Sequence, residues 1–160
     1  MKKIYLSIFS AFLILNLNAA NDTIITVGNT FSPSTLTINV GDTVTWSNDD
    51  LGFHNVNGSL SVFPNNPAGF TNGSATTGGW TFQHIFSLPG TYNYQCDPHA
   101  NMGMNGIIIV NSPPALSYIP DDNFENYLEA NAMGDGIALN DSVLTSAIDT
   151  ITELNIENKN

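Results

Sequence analysis

Residues 96–104 read CDPHANMGM. Cys96 is the only cysteine in 160 residues, with His99 three places on and Met102 and Met104 six and eight places on. One cysteine cannot form an internal disulfide. A free thiol is a liability in an oxidising compartment unless it is buried or bound. Thiolate, imidazole and thioether are soft or borderline donors, the kind that suits copper. A second imidazole is available at His54, in GFHNV (52–56). Two His and one Cys in a trigonal plane, with a long axial Met, make the blue-copper arrangement. Three donors then share one loop, the fourth comes from a separate strand end, and both methionines stay candidates.

The chain on either side of this stretch reads as strands. TYNYQC (91–96) puts Tyr92, Tyr94 and Cys96 on one face, and GIIIV (106–110) is a nearly continuous apolar run. TLTINV (35–40) alternates Leu36, Ile38 and Val40 with polar residues, and TVTW (43–46) repeats the pattern after a Gly41-Asp42 turn. WTFQHIF (80–86) lines up Trp80, Phe82, His84 and Phe86; TIITV (23–27) supplies a first strand. Period-two patterning in short segments, punctuated by Gly, Pro and Asn, predicts an all-β, antiparallel sandwich. Residues 57–79, rich in Gly, Asn, Ser, Thr and Pro, read as a long surface loop or an irregular edge, pinned by Phe63 and Phe70. His84 has no metal-ligand spacing to the other candidates and reads as a packed, structural histidine.

The N-terminus carries an export signature. Lys2 and Lys3 precede an apolar run from Ile4 to Leu17, and the small residues Ala19 and Ala20 follow. That order is a secretory signal peptide over residues 1–20, and the run is short of the roughly 20 residues that span a bilayer. The expected location is therefore periplasmic or extracellular, with no membrane insertion after cleavage. Removing Lys2 and Lys3 takes the formal charge from −11 to −13 and leaves Lys159 as the one basic residue. Such a chain repels nucleic acid and anionic membranes and attracts basic proteins; acidity is also a plain solubility device.

At Ser112-Pro113-Pro114 the character changes, so the expected copper domain is 21–112 and the tail 113–160. The tail holds nine acidic residues after Ala115. IPDDNFENYLEANA (119–132) reads as a helix capped by Asp121 or Asp122, with Phe124, Tyr127 and Leu128 on one face. ITELNI (151–156) fits the L-x-x-L-x-L strand of a leucine-rich repeat, a weak signal when single.

With these motifs in order, residues 31–111 resemble the cupredoxins, close to the plastocyanin and pseudoazurin group. The matching stretches are FSPSTLTINVGDTVTW, FHNV, PGTYNYQCDPHANMGM and GIIIV, with the spacing C-x2-H-x4-M. The resemblance implies an eight-stranded Greek-key sandwich with one type 1 copper ion held by His54, Cys96, His99 and Met104. It implies that Asn55 ties the two ligand loops together and that Tyr92 makes a tyrosine corner. Residues 57–79 depart from the plastocyanin pattern, which leaves the docking surface less defined than the site. The tail resembles the cap and first strand that open leucine-rich-repeat arrays in some secreted bacterial proteins. About three repeats are needed to bury a face, so the expectation is a repeat region truncated here.

The activity these features imply is an exported carrier of single electrons, alternating Cu(I) and Cu(II) and serving a redox protein partner. His99 and an apolar patch of Leu51, Phe53, Pro98 and Met102 would form its contact face. A cell-surface binding or adhesion protein with a copper module and repeats is the alternative, and copper sequestration a third. Enzymatic readings are poor: Cys96 and His99 lack a recognisable orienting group or oxyanion hole for nucleophilic catalysis.

Overall fold

The structure is a computed structural model and describes residues 19–149. The chain divides into two compact units, with the boundary between Pro113 and Pro114. The first contains strands β1 (Asn21–Thr26), β2 (Phe31–Ser32), β3 (Thr35–Asn39), β4 (Thr43–Ser47), β5 (Thr81–Ile85), β6 (Gly90–Gln95) and β7 (Asn105–Asn111). They form a four-stranded sheet, β2-β1-β4-β5, and a three-stranded sheet, β3-β7-β6. Period-two alternation forms these strands for the expected reason. In β4, Val44 and Trp46 are fully buried while Thr43, Thr45 and Ser47 are half-exposed. In β6, Tyr92 and Tyr94 point inward, and Cys96 continues that face.

The sandwich is not wholly antiparallel, as the alternation had suggested. β1 pairs with β4 in parallel, Asn21 opposite Thr43 and Ile25 opposite Ser47. β3 pairs with β7 in parallel, Thr35 opposite Ile107. The chain leaves one sheet for the other between partners, and parallel neighbours need such crossover connections. Among the described residues the sandwich has seven strands instead of the eight expected. In place of an eighth, the segment between β4 and β5 makes isolated bridges, His54 with Thr76 and Asn57 with both Thr71 and Gln95.

That segment is an edge more than a loop. Asn57 exchanges both backbone hydrogen bonds with Gln95, at 2.9 and 3.1 Å. The Asn66 side chain imitates a strand residue against β6: its Oδ1 accepts from the Asn93 amide (2.8 Å) and its Nδ2 donates to the Asn93 carbonyl (2.8 Å) and the Gly58 carbonyl (3.1 Å). Phe70 is buried and stacks on Trp46 with ring centroids 5.5 Å apart. Phe63 is only half-buried. Trp46 is the hub of the core, with Phe70, Phe82, Phe86 and Tyr94 around it. His84 packs among the rings of Phe70, Phe82 and Phe86, a structural position.

The second unit contains β8 (Leu116–Tyr118), α1 (Asp122–Ala130), β9 (Ser142–Leu144) and α2 (Thr145–Ile148), with β8 and β9 antiparallel. Asp121 caps α1 by accepting from the Phe124 amide at 2.8 Å. Leu128 and Val143 are buried, and Phe124 and Tyr127 are half-buried. Glu125, wholly buried, accepts from the amides of Asn140 and Asp141, so its carboxyl oxygens are met by backbone donors. ITELNI and most of the expected signal peptide lie outside the described residues. Among the described residues, no helix is long and apolar enough to cross a membrane.

Candidate metal centre

His54 follows β4 on a segment that Asn48 shapes. Asn48 is buried; its Nδ2 donates to the carbonyls of Gly52 and Gly78, and its Oδ1 accepts from the Thr26 hydroxyl. The His54 backbone then pairs with Thr76 at 3.2 and 3.1 Å. Cys96 ends β6. A 3-10 helix, Asp97–Met102, carries the chain through His99, and Gly103 turns it at φ 84° into β7. Backbone bonds close this loop on itself: Cys96 amide to Met104 carbonyl (3.0 Å), His99 amide to Cys96 carbonyl (3.0 Å), Met104 amide to His99 carbonyl (3.2 Å).

The loop and the His54 segment are joined by Asn55. Its Oδ1 accepts from the Asp97 amide, and its Nδ2 donates to the Asp97 carboxylate and the Gly73 carbonyl, all at 2.8 Å. Asn57 and Gln95 donate to the same carboxylate. Burial pushes the Asp97 carboxyl up, but these side-chain donors outweigh it and hold the group below the ordinary carboxylate range. The Tyr92 hydroxyl donates to the Leu88 carbonyl at 3.0 Å, which is the tyrosine corner.

Three donor atoms converge. His54 Nδ1 lies 3.1 Å from His99 Nδ1, and Cys96 Sγ lies 3.6 and 3.5 Å from the two nitrogens. By the circumradius of that triangle, a point equidistant from all three lies about 2.0 Å from each, which is the length of a metal–imidazole bond. Donor type and spacing therefore fit a metal ion, and a His₂Cys set of this kind favours copper over zinc. Cys96 is fully buried, His54 is nearly so and His99 is half-exposed. Burial raises the Cys96 thiol above its ordinary value, against the amides of Asn55 and His99. Burial lowers His54, and Asp50 opposes that shift.

Two methionines belong to the same loop. Met104 is fully buried, while Met102 is 60% exposed with its sulfur 3.6 Å from Asn29 Nδ2. Asp50, Asn48, Asn57 and Asp97 had no role in the sequence reading. They work through tertiary contacts, and the sole clue was their closeness to His54 and Cys96 along the chain.

Residues 21–111 match the profile of the copper binding proteins of the plastocyanin/azurin family. The chain belongs to that family. Plastocyanin from Scenedesmus fuscus is 39% identical over 90 residues, which cover 50% of this chain and 85% of that one. Halocyanin from Natronomonas pharaonis is 36% identical over 84 residues, 52% of this chain and 49% of the relative. The chain thus spans about half of halocyanin's length. Among solved structures, an oxidised point mutant of amicyanin aligns at 28% identity over 56% of this chain and 81% of that one, with a TM-score of 0.48. Copper is this cupredoxin family's cofactor, and its members carry electrons and are not enzymes.

Proposed function

We propose that this chain is an exported type 1 copper protein that passes single electrons between redox proteins. His54, Cys96, His99 and Met104 are its ligands, and residues 21–112 are the copper domain. The observation that carries this reading is the triangle of His54 Nδ1, Cys96 Sγ and His99 Nδ1, the latter two on a loop whose last residue, Met104, is fully buried. Copper bound there supplies a one-electron couple. The protein's part is to hold the donors still. Asn55 locks the two ligand segments, the 3-10 helix fixes His99 relative to Cys96, and the core around Trp46 keeps the floor rigid. A donor set that does not move suits both charge states.

Electrons would enter and leave at His99, the ligand with the most exposure. Leu51, Phe53 and Met102 are apolar residues more than half exposed on the ligand-bearing segments, and they support a dry docking face there. The acid-rich composition favours a basic partner. The leader of residues 1–20 supports export to the periplasm or cell surface. A surface binding protein with a copper module is the second reading, and the separately compact unit from Pro114 onward favours it.

Voltammetry of the copper-loaded protein tests the carrier reading. A reversible one-electron wave with fast exchange is the expected result. Tight copper binding with no reversible wave would favour sequestration instead.

A further inference from the structure

Asp50 stands four residues before His54, and its Oδ1 lies 3.4 Å from His54 Nε2. The same oxygen accepts from the Gly52 amide at 2.9 Å and lies 3.2 Å from the Thr26 hydroxyl, whose one proton it shares with the nearer Asn48 Oδ1. The carboxylate is therefore anchored from β1 and from the His54 segment. Gly52 makes room for the contact: a Cβ there would collide with His54 Nε2 and come within 3.0 Å of Asp50 Oδ1. The ring is thus held at both ends, with Nδ1 turned to Cys96 and His99 and Nε2 turned to a carboxylate.

We propose that Asp50 is a positioning residue for the copper couple, its carboxylate accepting a hydrogen bond from the Nε2–H of His54 so that the ring keeps its angle and Nδ1 becomes a stronger donor. A carboxylate behind a ligating imidazole fixes the tautomer and raises ligand basicity. A stronger donor and a nearby negative charge both stabilise the more highly charged Cu(II), so Asp50 lowers the reduction potential. The inference rests on His54 being a ligand. Asp49 supplies an internal control: it carries the same charge one residue away, but its carboxylate accepts from the Ser47 hydroxyl.

Asp50→Asn keeps an oxygen for Gly52 and Thr26 while removing the charge. Its potential should rise, by about 59 mV for a tenfold change in the Cu(II)-to-Cu(I) affinity ratio. Asp49→Asn should shift the potential distinctly less. In the Cu(I) protein, nuclear magnetic resonance should find the His54 Nε2–H protected from solvent exchange in the wild type and less so in Asp50→Asn. Equal potential shifts in the two variants would reduce Asp50 to a bystander charge and overturn the proposal. So would a wild-type Nε2–H that exchanges as fast as free imidazole, a result that needs no variant. A wild-type protein that takes up copper without blue colour would instead strike the ligand assignment.

Discussion

Met104 and Met102 are separated by burial. Met104 is fully buried, its backbone bonded to Cys96 and His99, and Met102 lies at the surface with its sulfur against Asn29. An axial thioether is a long, weak ligand that tunes potential more than it retains metal. Met104→Leu should keep copper and blue colour while raising the potential, and Met102→Leu should leave the potential nearly unchanged. Voltammetry decides, and a large shift for Met102→Leu with none for Met104→Leu reverses the assignment. His84 gives a second residue-scale expectation. Burial among aromatic rings lowers its pKa. The unfolded chain then binds the proton more readily below about pH 6.5, so this contribution to stability is complete above that value and lost as pH falls through the lower folded value. In the Cu(II) protein, where His54 is engaged, the melting temperature of His84→Phe should fall less than that of the wild type between about pH 7 and about pH 5. The four candidate ligands were legible because Cys96, His99 and Met104 are close in sequence and Asn55 follows His54 directly. Asp50 and Asp97 were not legible, since an aspartate in a polar run says nothing of which imidazole or amide it will meet.

At the scale of elements, the strands were legible and their partners were not. Alternation names the buried face of β4 or β6, but not which neighbour it pairs with. The parallel pairs β1/β4 and β3/β7 follow from crossings between sheets. β2, two residues long, carries no periodicity. The segment 57–79 read as loop because its edge bonds come from Asn57 and from the Asn66 side chain instead of a regular strand. Phe70→Ala should cost about 3–5 kcal/mol by cavity formation under Trp46. Asn66→Ala should cost about 1–3 kcal/mol by leaving the Asn93 backbone groups unpaired. Denaturant titration of both variants checks the ranking. Equal, negligible costs would make the segment a loosely attached loop after all.

At the scale of the whole molecule, the candidate ligands and all seven sandwich strands precede Pro114. The second unit has its own buried residues, Leu128, Val143 and the backbone-satisfied Glu125. Residues 21–112 alone should therefore fold and bind copper, and deletion of 113–160 should alter neither the spectrum nor the melting temperature of the loaded protein by much. An insoluble or colourless product would mean that the tail completes the first domain.

Copper held by Cys96 and two histidines has its own spectroscopic signature. The most direct test is the visible and electron paramagnetic resonance spectrum of the Cu(II)-loaded mature protein, measured beside Cys96→Ser. The wild type should show an intense thiolate-to-copper charge-transfer band and a narrow copper hyperfine splitting, both absent from a folded Cys96→Ser, because a serine hydroxyl is a hard donor in the thiolate's place. A colourless wild type, or a blue Cys96→Ser, would contradict the account.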